Sequence, residues 1–76
     1  MATDAIRALL EDAFPDGTVG VLDRTGGGDH FHVTVESASF DGLSLVDQHR
    51  LVNRALAEPL ADGTIHELRI TTKGPA

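Results

Sequence analysis

The 76-residue sequence contains no cysteine, tryptophan or tyrosine, and only three phenylalanines. Without cysteine no disulfide can staple the fold, and the chain alone offers a metal no thiolate, so a metal here would need His, Asp or Glu. Long apolar runs are also missing, and no charged leader precedes one. This argues against a signal peptide or a spanning helix and implies a cytoplasmic protein. Basic residues are few, six against twelve acidic, and the formal net charge of −6 opposes general attraction to nucleic-acid phosphates. Four of the six, Arg50, Arg54, Arg69 and Lys73, fall in the second half, where a local positive patch could survive.

What is present suits one small core. A hydrophobic content of 41% over this length predicts a single domain spanning residues 1–76. So small a domain has little stability to spare, and a bound partner would add noticeably to it.

Ile6, Leu9, Leu10, Ala13 and Phe14 recur at steps of three and four, which predicts an amphipathic helix over residues 4–14 with Thr3 as its cap. Pro15-Asp16-Gly17 stops it. Residues 18–23 read as a strand with Val19 and Val21 on one face. Phe31, Val33 and Val35 then alternate with polar neighbours in a second strand. The connection between them, Gly26-Gly27-Gly28-Asp29, is too long for a two-residue turn and reads as a loose hairpin tip. Ser44 with Asp47 resembles a capping box opening a helix from about Leu45 to Ala57, with Leu45, Val46, Val52, Ala55 and Leu56 as its buried stripe. Pro59 and Asp62-Gly63 end it. A last strand runs from Ile65 to Thr71 with His66, Leu68 and Ile70 on one face. The sum is α+β, in the order α-β-β-α-β, with a small three-stranded sheet covered by helices.

Four histidines are the strong ligand candidates, because imidazole is the usual nitrogen donor for zinc, copper and iron. By strand parity His66 lies on the otherwise apolar face at the mouth of the last strand, partly desolvated and in need of partners for its ring nitrogens. Such a histidine either completes a core edge or binds a metal. His30 ends the glycine-rich loop and reads either as a surface histidine or as a ligand able to swing toward His66. His32 has the same parity as His30. His49 falls on the helix stripe and reads as a core-edge residue. Ser37, Ser39 and Ser44 have no glycine elbow or evident base, the glycine triplet lacks a P-loop lysine, and no carboxylate pair sits in an apolar setting. No catalytic activity is expected.

One set of residues is more specific than these patterns. Phe40-Asp41-Gly42, then His49-Arg50-Leu51-Val52-Asn53, then Ile65-His66 opening the final apolar alternation is an order that resembles the BolA family over roughly residues 28 to 75. The resemblance implies a fold like the type II KH arrangement, here with the C-terminal helix absent. It implies that His66 ligates iron, with a loop ligand that is either Cys or His in the family. Lacking Cys, the chain resembles the histidine type, with His30 the nearest match and His32 the fallback. It further implies a non-enzymatic partner of a monothiol glutaredoxin, sharing a [2Fe–2S] cluster with that protein and its glutathione, and no cofactor bound by this chain alone. Some family members act on transcription, so a DNA-binding regulator using His49, Arg50, Arg54, Arg69 and Lys73 is the alternative, although the chain lacks the G-x-x-G clamp of a working KH site. Two departures bear on these expectations. Gln48 stands where an arginine commonly precedes the His-Arg pair, and Glu67 follows His66 where a small residue is typical, either to draw on the His66 proton or to face solvent.

Overall fold

In the computed structural model, which describes residues 2–74, helix α1 covers Thr3–Ala13 and turns Ile6 and Leu10 fully inward. Met1, Pro75 and Ala76 lie outside the described residues, so the expected absence of a C-terminal helix falls partly outside them. Thr3 is not the cap. The extended residue before the helix is Ala2, which has no side chain to accept a bond, so Thr3 is already the first helical residue. After Phe14 the chain reverses tightly at Gly17, where a Cβ would stand 2.7 Å from the Glu36 carbonyl oxygen, and only glycine fits so close to that strand end.

Strands β1 (Thr18–Asp23) and β2 (His30–Glu36) pair antiparallel, and β3 (Glu67–Lys73) joins β2 parallel in the order β1-β2-β3. Register follows the alternation. Val19 and Val21 face Val35 and Val33, which in turn neighbour Thr72 and Ile70, so one face of the sheet is mainly apolar, with Thr72 the polar residue toward its end. The helices cover that face, and Phe31, Val33 and Val35 of the central strand are fully buried beneath Ile6, Leu10, Val52 and Leu56. The opposite face carries Leu22, His32, Thr34, Arg69 and Thr71, with Leu22 61% exposed.

Between β2 and β3 the chain makes a short 3-10 turn at Ala38–Phe40, then α2 (Leu45–Ala55) and the single-turn α3 (Ala57–Ala61). The Phe40 and Gly42 motif is structural. Phe40 is 1% exposed with its ring centroid 5.2 Å from that of Phe14, and Gly42 takes a φ of 76°, which a residue with a Cβ adopts only under strain. Ser44 caps α2 by accepting from the Asp47 amide at 3.2 Å. The Asp47 carboxylate lies instead 3.4 Å from Arg50, so only one half of a capping box is made.

Three expectations for this segment are corrected. Leu45 and Val46 are 62% and 60% exposed, because the cap at Ser44 leaves them in the first turn, beyond the part of α2 that lies over the sheet; the buried contacts come from Val52, Leu56 and the half-buried Leu51 and Ala55. Pro59 does not end the helical region. Leu56 breaks α2 with φ −107° and ψ 18° and starts α3, so Pro59 sits in a new first turn, where its missing N–H removes no helix bond. The last strand begins at Glu67 rather than Ile65, while Ile65 is buried ahead of it with its amide on the Pro59 carbonyl.

Candidate functional site

Parallel pairing sets the positions of the histidines. Since His30 is registered with Glu67, the residues just before each strand, Asp29 and His66, meet at the same end of the sheet. The Asp29 carbonyl accepts the amides of His66 at 2.8 Å and Glu67 at 3.3 Å, which ties the hairpin tip to the mouth of β3. The side chains converge accordingly. The rings of His30 and His66 lie 6.4 Å apart between centroids at 69°, and His66 Nδ1 is 3.2 Å from an Asp29 carboxylate oxygen. One ligand atom from each of Asp29, His30 and His66 falls within 4.8 Å of the others.

His66 is not desolvated as strand parity predicts. Its side chain is 62% exposed, because β3 starts one residue later and the alternation does not govern position 66. Nor is the hairpin tip loose. The Asp23 carboxylate accepts the amides of Thr25, Gly26 and Gly28 at 3.3, 2.9 and 3.0 Å, organising the loop before His30. Glu67 neither draws on His66 nor stands alone in solvent. It forms an ion pair with Arg24 and lies 3.7 Å from His30 Nδ1, on the outer face of the sheet. Both partners are well exposed, so this pairing adds little stability but sets the local charge.

The other candidates are dispersed. His32 is half-buried on the outer face and shares a 2.8 Å bond with Thr71 Oγ1, leaving it outside the group that contains His30. His49 is half-buried on α2. Arg50 is paired with Asp47 and Arg54 is exposed on the same helix. Arg69 and Lys73 alternate with the inward Leu68, Ile70 and Thr72, so they project from the sheet face opposite α2, and the sheet divides the four cations into two groups. Gln48 faces inward and bridges α2 to β3, accepting from Thr72 Oγ1 at 2.6 Å and donating to the Leu43 carbonyl at 3.0 Å.

Chemically the cluster offers two imidazole nitrogens and a carboxylate oxygen at an accessible rim. That donor set suits iron or zinc and falls short of the four protein ligands of a closed tetrahedral site, so it leaves room for donors from another molecule. Asp29 and Arg24 did not stand out in the sequence. Asp29 precedes His30, but only the parallel register brings it to His66.

A small α+β domain with an open histidine and carboxylate cluster at the shared start of two parallel strands is the class this geometry defines. A family profile described as BolA-like protein matches residues 6–76, and the chain belongs to that family. BolA-like protein 1 of Mus musculus is 42% identical over 79 aligned residues, covering 95% of this chain but 57% of the mouse protein, so the chain spans little more than half of that relative. A Vibrio cholerae protein named DNA-binding transcriptional regulator BolA is 40% identical, with 95% of this chain and 74% of the relative covered. Among solved structures, the BolA domain of SufE1 from Arabidopsis thaliana superposes with a TM-score of 0.86 at 33% identity, covering 96% of this chain and 91% of that one. Among the described residues, no helix is long and apolar enough to cross a membrane.

Proposed function

We propose that this protein is a non-enzymatic, cytoplasmic partner of a monothiol glutaredoxin in binding, moving or sensing a [2Fe–2S] cluster, with His66 and His30 as its ligands. The observation that carries the reading is the convergence of these two imidazoles at an exposed rim, their centroids 6.4 Å apart, on a chain with no cysteine of its own. Such a pair cannot enclose a cluster. It can complete one whose remaining ligands are the thiolates of the glutaredoxin and its glutathione, and replacing thiolate by imidazole raises a cluster's potential. His66, the more exposed ring, would meet the incoming partner first, while Asp29 orients it through Nδ1. Glu67 lies 3.7 Å from His30 Nδ1 on the other side. His32, the fallback ligand, holds Thr71 through Nε2, so it would serve in place of His30 through Nδ1, and it stands outside the group that contains His30 and His66.

Mixing the protein with cluster-loaded glutaredoxin should change the visible absorption and circular dichroism of the cluster, and His66→Ala should abolish the change. An unaltered spectrum with the wild-type chain rejects this role.

The name of the Vibrio cholerae relative supports a second reading, a DNA-binding regulator. Arg50 and Arg54 on α2 would then contact phosphates, flanked by His49, while Arg69 and Lys73, on the other side of the sheet, would contact a different stretch of backbone or none. Retardation that weakens with salt and with Arg54→Ala favours it; no retardation at moderate salt removes it.

A further inference from the structure

We propose that the chain on its own binds one divalent transition-metal ion of the zinc class through Asp29, His30 and His66, with the Asp29 carboxylate as a ligand and not only an orienting group. The inference draws on the same two imidazoles as the cluster reading but needs no second protein.

Donor type comes first. Two imidazoles and one carboxylate match zinc and its neighbours, whereas calcium and magnesium take all-oxygen shells. Separation comes next. Ligands about 2.1 Å from a tetrahedral zinc stand about 3.4 Å from one another. Asp29 Oδ2 and His66 Nδ1 are already 3.2 Å apart, and the cluster as a whole closes to within 4.8 Å, so His30 needs only a side-chain adjustment. The backbone reduces the ordering still required, because the Asp29 carbonyl holds the amides of His66 and Glu67. Charge agrees. The cluster presents the Asp29 carboxylate to a dication, with Glu67 beside His30 and paired with Arg24. Ligation through Nδ1 requires the His66 tautomer that carries its N–H on Nε2, and this ring is exposed enough for water to accept from that N–H. A solvent molecule fills the fourth position.

The test is titration of the untagged protein with zinc chloride, followed by calorimetry and by amide and imidazole NMR shifts. One ion should bind saturably, with shifts at Asp29, His30 and His66. Asp29→Asn should weaken binding at least about tenfold, the loss typical when a metal site forfeits even a supporting carboxylate. His30→Ala and His66→Ala should do so as well, while His32→Ala should match the wild type. Absence of saturable binding overturns the proposal, as does Asp29→Asn binding like the wild type or His32→Ala weakening as much as His30→Ala. Circular dichroism in the far ultraviolet checks that each variant is folded. Exposing Asp29→Asn to cluster-loaded glutaredoxin separates the two readings. A retained cluster response with lost zinc binding supports both proposals, and zinc binding by a wild-type chain that never alters the cluster spectrum rejects the glutaredoxin role alone.

Discussion

Replacing Asp23 by alanine tests whether the loop before His30 is held by one side chain. In the structure this carboxylate accepts three main-chain amides, from Thr25, Gly26 and Gly28, and no strand ladder reaches those residues. Each such bond contributes about 0.5–1.5 kcal/mol net, and amides in an exposed loop recover much of that from water once the carboxylate is gone. The expected loss is therefore roughly 1–2 kcal/mol rather than the full sum, which for a domain of this size lowers Tm by about 4–16 °C. Urea denaturation would measure the loss, and amide hydrogen exchange would place it, with Gly26 and Gly28 gaining exchange far more than Val33 or Val35. Asp23→Asn, which keeps one accepting oxygen, should fall between. The amides of His66 and Glu67 should stay protected, because they bond to the Asp29 carbonyl and not to Asp23. An unchanged denaturation midpoint with unchanged loop exchange would refute the idea that Asp23 orders the hairpin tip.

A second carboxylate knits the other end of the sheet: Asp16 accepts from the Ser37 hydroxyl at 3.1 and 3.2 Å and from the Ala38 amide at 3.0 Å, and Ser37 is only 3% exposed. Asp16→Ala should cost about 1–3 kcal/mol by leaving that hydroxyl without its acceptor, and a urea double-mutant cycle with Ser37→Ala, which also removes the acceptor of the Ser39 amide, should show the two losses to be less than additive. Phe40→Ala should cost about 3–5 kcal/mol, a large part of what so small a domain has, whereas Phe40→Leu should remain folded by circular dichroism with a smaller deficit. Asp62 has its carboxyl held below the usual 3.8 by the side-chain and then the backbone hydrogen bond from Thr64. A depressed folded-state value means that the stabilisation is present above the usual carboxyl range and is lost as pH falls below about 4. Thr64→Ala should accordingly raise the Asp62 value in an NMR titration, and an unmoved titration curve would contradict that bonding.

The elements that sequence made legible are those whose periodicity is enforced by burial. Phe31, Val33 and Val35 alternate because one face of β2 is covered, and Ile6 and Leu10 share a stripe because α1 lies over it. Where tertiary position, not local pattern, decides burial, the reading failed. Leu45 lines up with Val52 at helical spacing, yet it is exposed at the end of α2, and Pro59 is compatible with a helix only because Leu56 interrupts the one before it. In the cluster, His30 and His66 were legible as residues but their environment was not. Nothing local indicates that β3 begins after His66, that Glu67 turns to Arg24 and His30, or that Asp29 becomes a neighbour of His66. Each of those facts depends on the pairing of strands far apart in the chain.

That pairing also explains why an exposed cluster can have a defined geometry. Two parallel strands start at the same end of a sheet, so the residues preceding them converge, whereas an antiparallel pair would bring the start of one strand to the finish of the other. Which residues converge is set by register. A slip of one residue between β2 and β3 would turn Leu68 and Ile70 away from Phe31 and Val33 and expose the apolar face of the strand, so the core resists it. The same slip would move His66 away from Asp29 and break both amide bonds to the Asp29 carbonyl. The meeting of the two imidazoles is thus set by side chains packed in the core, and substitutions at Val33 or Ile70 that loosen the register should weaken the proposed zinc binding in the same titration without changing either histidine.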